Sequence, residues 1–245
     1  MPRLDQLLVH RGFFDSREKA RRAVMAGWVR VEGALADKPG TPVKDAAAVE
    51  VQDRREPFVS RGGGKLEAAL EHFGVDVAGR VCMDVGASTG GFTDCLLKRG
   101  ASRVYAIDVG YGQLDLALRN DPRVVVMERI NARYLSPEAL PETVSLVTLD
   151  LSFISLAKVL PAVLPHVAPG GLVLPLVKPQ FEAGRGVVGK GGILRDDTVR
   201  KQVVETTVGG LEALGLELVD VMDSPVLGAG GNRESLALFT WPGRE

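Results

Sequence analysis

Residues 84–94 read DVGASTGGFTD, Asp84 to Asp94, and the fold turns on what this stretch does. It follows an apolar, β-prone run, RVCMDV, and precedes GGFTDCLLKRG, whose apolar residues recur at helical spacing. A strand, a glycine-rich turn and a helix in that order leave free backbone N–H groups at the helix start, aimed at whatever sits above the strand end. Three familiar loop types fit poorly. A phosphate-cradling loop needs Gly-Lys-Ser/Thr at its end, but Gly91 is followed by Phe92. A dinucleotide loop needs a second glycine where Ser88 stands. Gly86-Ala87-Ser88-Thr89-Gly90 does match a nucleophile elbow, with Asp150 and His166 following in hydrolase order. His166, however, lies in the apolar stretch VLPAVLPHVAPG and reads as a helix-end residue rather than a base.

Outward from the loop, strands alternate with helices. SRVYAIDVG, RVVVME, VSLVTLDLS and GGLVLPLVKPQ read as strands, with helical segments such as LAKVLPAVLPHV between them. TVRKQVVETTVGGLEALG is a further helix. The last two strands, LELVDVMDSPV and ESLALFTW, lie too close for a crossover helix and form an antiparallel edge pair. The fold class is therefore α/β: a Rossmann-like, doubly wound, mostly parallel sheet that binds its ligand over the C-terminal strand ends. The pocket so formed suits S-adenosyl-L-methionine, which carries an amino-acid zwitterion, a sulfonium and an adenosine but no phosphate. Asp84 is expected to take the ammonium, directly or through water. Gly86, Ala87, Ser88, Gly90, Gly91 and Phe92 form the bed, Asp108 takes the ribose, Glu128 and Asn131 flank the adenine, and Asp150 faces the sulfonium.

The 245 residues carry ordinary proportions of apolar (45%) and charged (25%) residues, which places the chain among globular proteins. No apolar run reaches the roughly 18 residues a membrane span requires. The opening MPRLDQLLVHRGFF has an Arg and an Asp in its first five residues and neither a long apolar core nor a small-residue cleavage site, so it does not read as a secretory signal. Cys82 and Cys95 read as buried thiols of a reducing, cytoplasmic protein, and no Cys/His cluster has metal-ligand spacing, so no metal is expected. The net charge of −1 hides an asymmetry: residues 1–61 hold 12 Lys+Arg against 9 Asp+Glu. Arg11, Arg17, Lys19, Arg21, Arg22 and Arg30 form a cluster suited to phosphate.

That N-terminal module, residues 1–56, reads as helix, helix and small strands, with WVRVEG and TPVKDAAAVEVQ split by a turn at Lys38-Pro39-Gly40. RLDQLLVHRG, SREKARRAVMAGWVRVEG and KPG resemble the S4-like RNA-binding domain. The resemblance implies that Arg3, Ser16, Arg17, Lys19, Ala20 and Arg21 face RNA. Residues 57–64 read as a linker in which Gly62-Gly63-Gly64 is a hinge or a close backbone approach, with Arg61 beside it, and 65–245 as the second domain. EAGRGVVGKGGILRD, 182–196, reads as a lid that orders on RNA through Arg185 and Lys190.

Asp150 and Lys178 end the fourth and fifth strands of the sheet, while Lys65 and Glu234 come from segments outside it. Together they resemble the Lys-Asp-Lys-Glu tetrad of FtsJ-like RNA ribose methyltransferases. SRGGGKL, DVGASTGGFTD, DLSF, VKPQFE and GNRE, behind an S4-like module, are similar to the TlyA family. The family pattern implies S-adenosyl-L-methionine-dependent 2′-O-methylation of a cytidine ribose in ribosomal RNA, in the large subunit and in some members the small. The partner is then rRNA or a ribosomal subunit. A lysine crowded by other cations holds a proton less firmly, which suits it to general-base work. Lys178 is expected to act as base, Asp150 to orient it, Lys65 to stabilise charge on the hydroxyl oxygen and Glu234 to hold the lysines. Before the Ser-Arg-Gly the family often has Arg-x-Trp-Val; this chain has Glu56-Pro57-Phe58-Val59. The alternatives are an RNA-binding module without catalysis and a haemolysin, a label some family members carry.

Overall fold

The computed structural model describes residues 1–25, 27–51, 57–184, 189 and 192–243. The chain divides into two units, Met1–Arg55 and Glu56–Glu245.

In the first unit, helices α1 (Leu4–His10) and α2 (Arg17–Met25) pack over a small antiparallel sheet of β1 (Val29–Val31), β2 (Ala34–Leu35) and β3 (Val49–Val51), in the order β2-β1-β3. Leu4, Leu7 and Leu8 of α1 meet Ala20, Ala23 and Val24 of α2 and Val29 of β1 in one core. Glu32 and Gly33 both have positive φ, the geometry of a two-residue hairpin turn matched to strand twist. Among its described residues TPVKDAAAVEVQ is strand over Val49–Val51, and the chain reverses at Glu32-Gly33 before it reaches Lys38-Pro39-Gly40.

The second unit opens with α3 (Arg61–His72). β4 (Val81–Val85), α4 (Gly91–Lys98), β5 (Arg103–Asp108), α5 (Leu116–Arg119), β6 (Val124–Glu128) and β7 (Val144–Leu149) follow. LAKVLPAVLPHV is broken by its prolines into short turns around α6 (Leu160–Val163). Then come β8 (Val167–Val177), α7 (Pro179–Glu182), α8 (Asp197–Glu212), β9 (Glu217–Asp223) and β10 (Ser235–Trp241). The sheet order is β6-β5-β4-β7-β8-β10-β9, parallel as far as β8, with β10 antiparallel to both its neighbours. One face packs on α3 and α4 through Cys82, Ala106, Leu146 and Leu174; the other packs on α6 and α8 through Met83, Ile107, Val147 and Val173. Both cysteines are buried free thiols. The strand order reverses at β4, with β5 and β6 on one side and β7 and β8 on the other, so the crevice for a ligand opens between β4 and β7.

Residues 57–64 are not a linker. Phe58 is buried in the core of the second unit, and all three glycines lie in the first turns of α3. A Cβ on Gly63 would stand 2.2 Å from the Phe58 ring, and one on Gly91 2.2 Å from Ser60 Oγ. Close approach, not hinge freedom, explains Gly63; a Cβ on Gly64 would meet nothing nearer than 3.8 Å. Asp94 Oδ2 accepts from Val59 N at 2.9 Å, and Lys98 Nζ sits 5.1 Å over the Phe58 ring, so the segment is strapped to α4.

Candidate active site

Two cavities meet over the ends of β4 and β7. The larger, about 410 Å³, is lined by Asp108, Gln113, Asn131, Arg133, Asp150 and the loop from Leu151 to Ile154. The smaller, about 200 Å³, is lined by Ser60, Arg61, Lys65, Phe92, Asp150 and Gly228. Gly86 and Ser88 border both. The loop between them is built for close approach. Gly86 has φ +88°, and a Cβ there would stand 2.5 Å from the Asp150 carbonyl oxygen; Gly90 has φ +97° and enters α4 in the left-handed region. Ser88, with φ +50°, donates its backbone N–H to Asp108 Oδ2 at 2.8 Å, and Gly110 N–H donates to Oδ1 at 2.7 Å. Asp108 is thereby fixed at the cavity wall with lone pairs left for a ligand's hydroxyls. A nucleoside-sized cavity, a cradle that excludes side chains and a fixed carboxylate fit the cofactor expected from sequence.

Two expected cofactor contacts are used elsewhere. Asp84 has no exposed surface and lines neither cavity; its carboxylate accepts from Thr93 Oγ1 at 2.7 Å and Thr148 Oγ1 at 3.2 Å. Burial pushes this carboxyl up to about 7, the Asp150 charge adds to the rise, and the threonine hydroxyls oppose it. It ties α4 to β7 and stands on neither cavity wall, where a direct contact with a ligand's ammonium would be made. Glu128 accepts from Gly112 N–H at 2.9 Å and pairs with Arg119, which secures the loop after β5 but leaves its carboxylate off the cavity wall. Asn131 does line the larger cavity. The elbow reading fails on topology: buried His166 precedes β8 at the opposite end of the sheet from Ser88.

The four tetrad residues assemble as two ion pairs. Lys65 Nζ lies 2.5 Å from Glu234 Oε2, both side chains being buried. Lys178 Nζ lies 2.6 Å from Asp150 Oδ1, off the line a hydrogen bond needs, and donates to Ser152 Oγ at 3.0 Å. Lys65 comes from α3 and Glu234 from the entry to β10, where Gly228 leaves room for it: a Cβ there would stand 2.1 Å from Glu234 Oε1. Gln180, two residues after Lys178, donates Nε2 to Glu234 Oε1 at 3.2 Å while its own Oε1 is buried without a partner. Ser152 and Gln180 were within reach of sequence reading, since each lies in a motif already singled out, DLSF and VKPQFE. Phe153, missed for the same reason, is 90% exposed with φ +65°, leans on Phe181 at 4.8 Å and stands at the mouth of the larger cavity.

In the first unit Arg3 and Arg17 both pair with Asp5, whose side chain is fully buried. Ser16 Oγ accepts from Lys19 N–H as a helix cap, Lys19 pairs with Asp15, and Arg21 is exposed. Arg11 leaves the basic cluster: it caps the carbonyls of Asp45 and Ala47. Arg185 and Lys190 lie outside the described residues. Among the described residues no His/Cys/Asp/Glu group could hold a metal, and no helix is long and apolar enough to cross a membrane.

Residues 58–240 match the FtsJ-like methyltransferase family and residues 2–49 the S4 domain. The chain is 51% identical over 240 residues to the 16S/23S rRNA (cytidine-2′-O)-methyltransferase TlyA of Mycobacterium tuberculosis, covering 98% of this chain and 88% of that one. It is 43% identical to Hemolysin A of Brachyspira hyodysenteriae, covering 97% and 99%. The structure of a putative hemolysin from Streptococcus thermophilus superposes with a TM-score of 0.77 at 42% identity, covering 99% of this chain and 90% of that chain.

Proposed function

The chain belongs to the TlyA family of FtsJ-like methyltransferases, and on that premise we propose that it methylates the 2′-oxygen of a cytidine ribose in ribosomal RNA, using S-adenosyl-L-methionine. The observation that carries this reading is the pair of ion pairs, Lys65–Glu234 and Lys178–Asp150, of which Asp150 borders both cavities and Lys65 the smaller one. When bound, the cofactor supplies an electrophilic methyl carbon whose bond to sulfur breaks as the ribose oxygen bonds to it, the electron pair staying on sulfur. The residues of the chain do the rest. The backbone from Gly86 to Gly91 and the Asp108 carboxylate hold the nucleoside and its amino-acid arm. Asp150 and Ser152 fix Lys178, which in its neutral form takes the proton of the 2′-hydroxyl. Lys65, held by Glu234, steadies negative charge on that oxygen as the proton leaves. The first unit brings the rRNA or ribosomal subunit through Arg3, Arg17, Lys19 and Arg21. The cytoplasm is the compartment in which such a substrate is met.

Lys178→Ala tests the assignment when cofactor binding and methyl transfer are measured separately. Loss of a general base costs about 10²- to 10⁴-fold in rate. The expected result is a loss of that size with cofactor affinity within a few-fold of wild type. Transfer at the wild-type rate would remove Lys178 from the role. Mapping ribose methyls in rRNA with and without the protein identifies the cytidine and the subunit.

A further inference from the structure

A fully buried carboxylate is a liability in a unit that meets a polyanion, yet Asp5 has no exposed surface. It is held by two cations. Arg3 donates Nε and Nη2 to Asp5 Oδ1 and Oδ2 at 3.1 and 3.2 Å, and Arg17 donates Nε to Oδ2 at 3.1 Å. Burial pushes the Asp5 carboxyl up, and the two arginine hydrogen bonds outweigh it, so the group stays ionised. The arginines themselves are half exposed, at 48% and 52%. Among the described residues Arg3 Nη1 and both terminal nitrogens of Arg17 have no hydrogen-bond partner. Each guanidinium is clamped along its inner edge and open along its outer one.

The backbone around the pair is equally constrained. Leu4 N–H donates to Thr41 O and Asp5 N–H to Pro39 O, both at 2.9 Å, which stitches the start of α1 to the Lys38-Pro39-Gly40 turn. A Cβ on Gly40 would stand 3.1 Å from Arg3 Nη2, so the glycine of that turn gives the guanidinium its clearance. Three separate chain segments converge on one small cationic fork.

We propose that Asp5 is a positioning residue for RNA binding: it spreads Arg3 and Arg17 into a preformed fork that takes one backbone phosphate. This rests on the rRNA reading above. Two planar guanidinium groups on one carboxylate carry a net charge of +1 and match phosphate oxygens in pairs. Fixing them beforehand removes the ordering cost that free arginines bear on binding. The negative charge is thereby useful to an anion-binding surface, which gives a test that simple electrostatics answers the other way.

Asp5→Asn in the full-length chain raises its net charge by one. Charge alone predicts tighter binding to large ribosomal subunits; the fork predicts at least ten-fold weaker binding and a log K against log salt slope shallower by about one. Asp37→Asn, the same charge change at an exposed acid of the same unit, should bind no worse than wild type. Arg3→Lys and Arg17→Lys keep the charge and lose the fork, and each should weaken binding several-fold. Cofactor affinity should stay at wild type throughout. Wild-type or tighter binding by Asp5→Asn overturns the proposal. If that variant does not fold, Gly40→Ala, which alters no charge and crowds Arg3, takes its place: weaker binding supports the fork and unchanged binding overturns it. Should Arg17→Glu with Arg21→Glu also leave binding unchanged, the RNA reading of the unit fails, not the fork alone.

Discussion

Asp84→Asn should make the second unit more stable, and increasingly so as pH rises. The wild-type carboxyl is wholly buried and pushed up to about 7 from 3.8. A gap of about three units at 1.36 kcal/mol each is on the order of 4 kcal/mol. Because the folded state holds this proton more tightly than the unfolded one, the protonated group's contribution is full below about pH 4. It is lost progressively as pH rises through about 7, and is constant above. An asparagine does not titrate. Its oxygen can still accept from Thr93, and its amide can donate to Thr148 Oγ1, which lies 3.5 Å from the Met83 carbonyl it donates to. The variant should therefore gain up to about 4 kcal/mol at pH 8, which for a unit of this size is a rise in Tm on the order of 10 °C, and less than half of that at pH 5. Other groups titrate in the same range but cancel in the difference between the two proteins. Trp241, buried in β10, reports the unit by fluorescence in a Trp28→Phe background that silences the first unit. A Tm difference that is equal at pH 5 and pH 8 would refute the reasoning. Because Asp84 lines neither cavity, cofactor affinity should change by no more than a few-fold; a collapse in affinity would restore the ammonium contact expected from sequence.

Gly228→Ala should drive a methyl into Glu234 and unseat Lys65, lowering methyl transfer by more than ten-fold while costing about 1–3 kcal/mol of stability in thermal or urea unfolding. Gln180→Met keeps volume but removes the donor to Glu234; methyl transfer should fall several-fold while cofactor affinity and Tm hold, and an unchanged rate would make Gln180 mere packing. Phe153→Ala removes an exposed ring at the mouth of the larger cavity. If the ring stacks on a base of the substrate, activity on rRNA should fall by roughly 1–3 kcal/mol of binding, with cofactor titration and Tm unchanged.

How far the site was legible depended on whether a residue's role is local. Gly86 and Gly90 could be placed from sequence because a strand-to-helix turn of that length demands left-handed backbone whatever surrounds it. Asp108 was likewise placed by its position at the end of the second strand. Asp84 and Glu128 were read as cofactor contacts by the same strand-end logic, yet neither lines either cavity. On β4, residue 84 shares the face of Cys82 and turns toward α4, where Thr93 waits; Glu128, expected to flank the adenine, is taken by Arg119 of α5 and the Gly112 N–H. The three glycines before Lys65 misled in another way. Glycine permits both a hinge and a tight contact, and only the presence of Phe58 and Gly91 against Gly63 decides for contact.

The order of strands and helices, the glycine loop and the roster of lysines and carboxylates follow from the sequence, because side-chain period, turn chemistry and ionisable groups are properties of neighbours along the chain. Tertiary structure alone decided the partnerships: Lys65 with Glu234, separated by 169 positions, Lys178 with Asp150, and Asp5 beneath two arginines. Ion pairs are chosen by distance in space and by which charges lose their water. Both are fixed only when the sheet closes its register and the helices seal its faces.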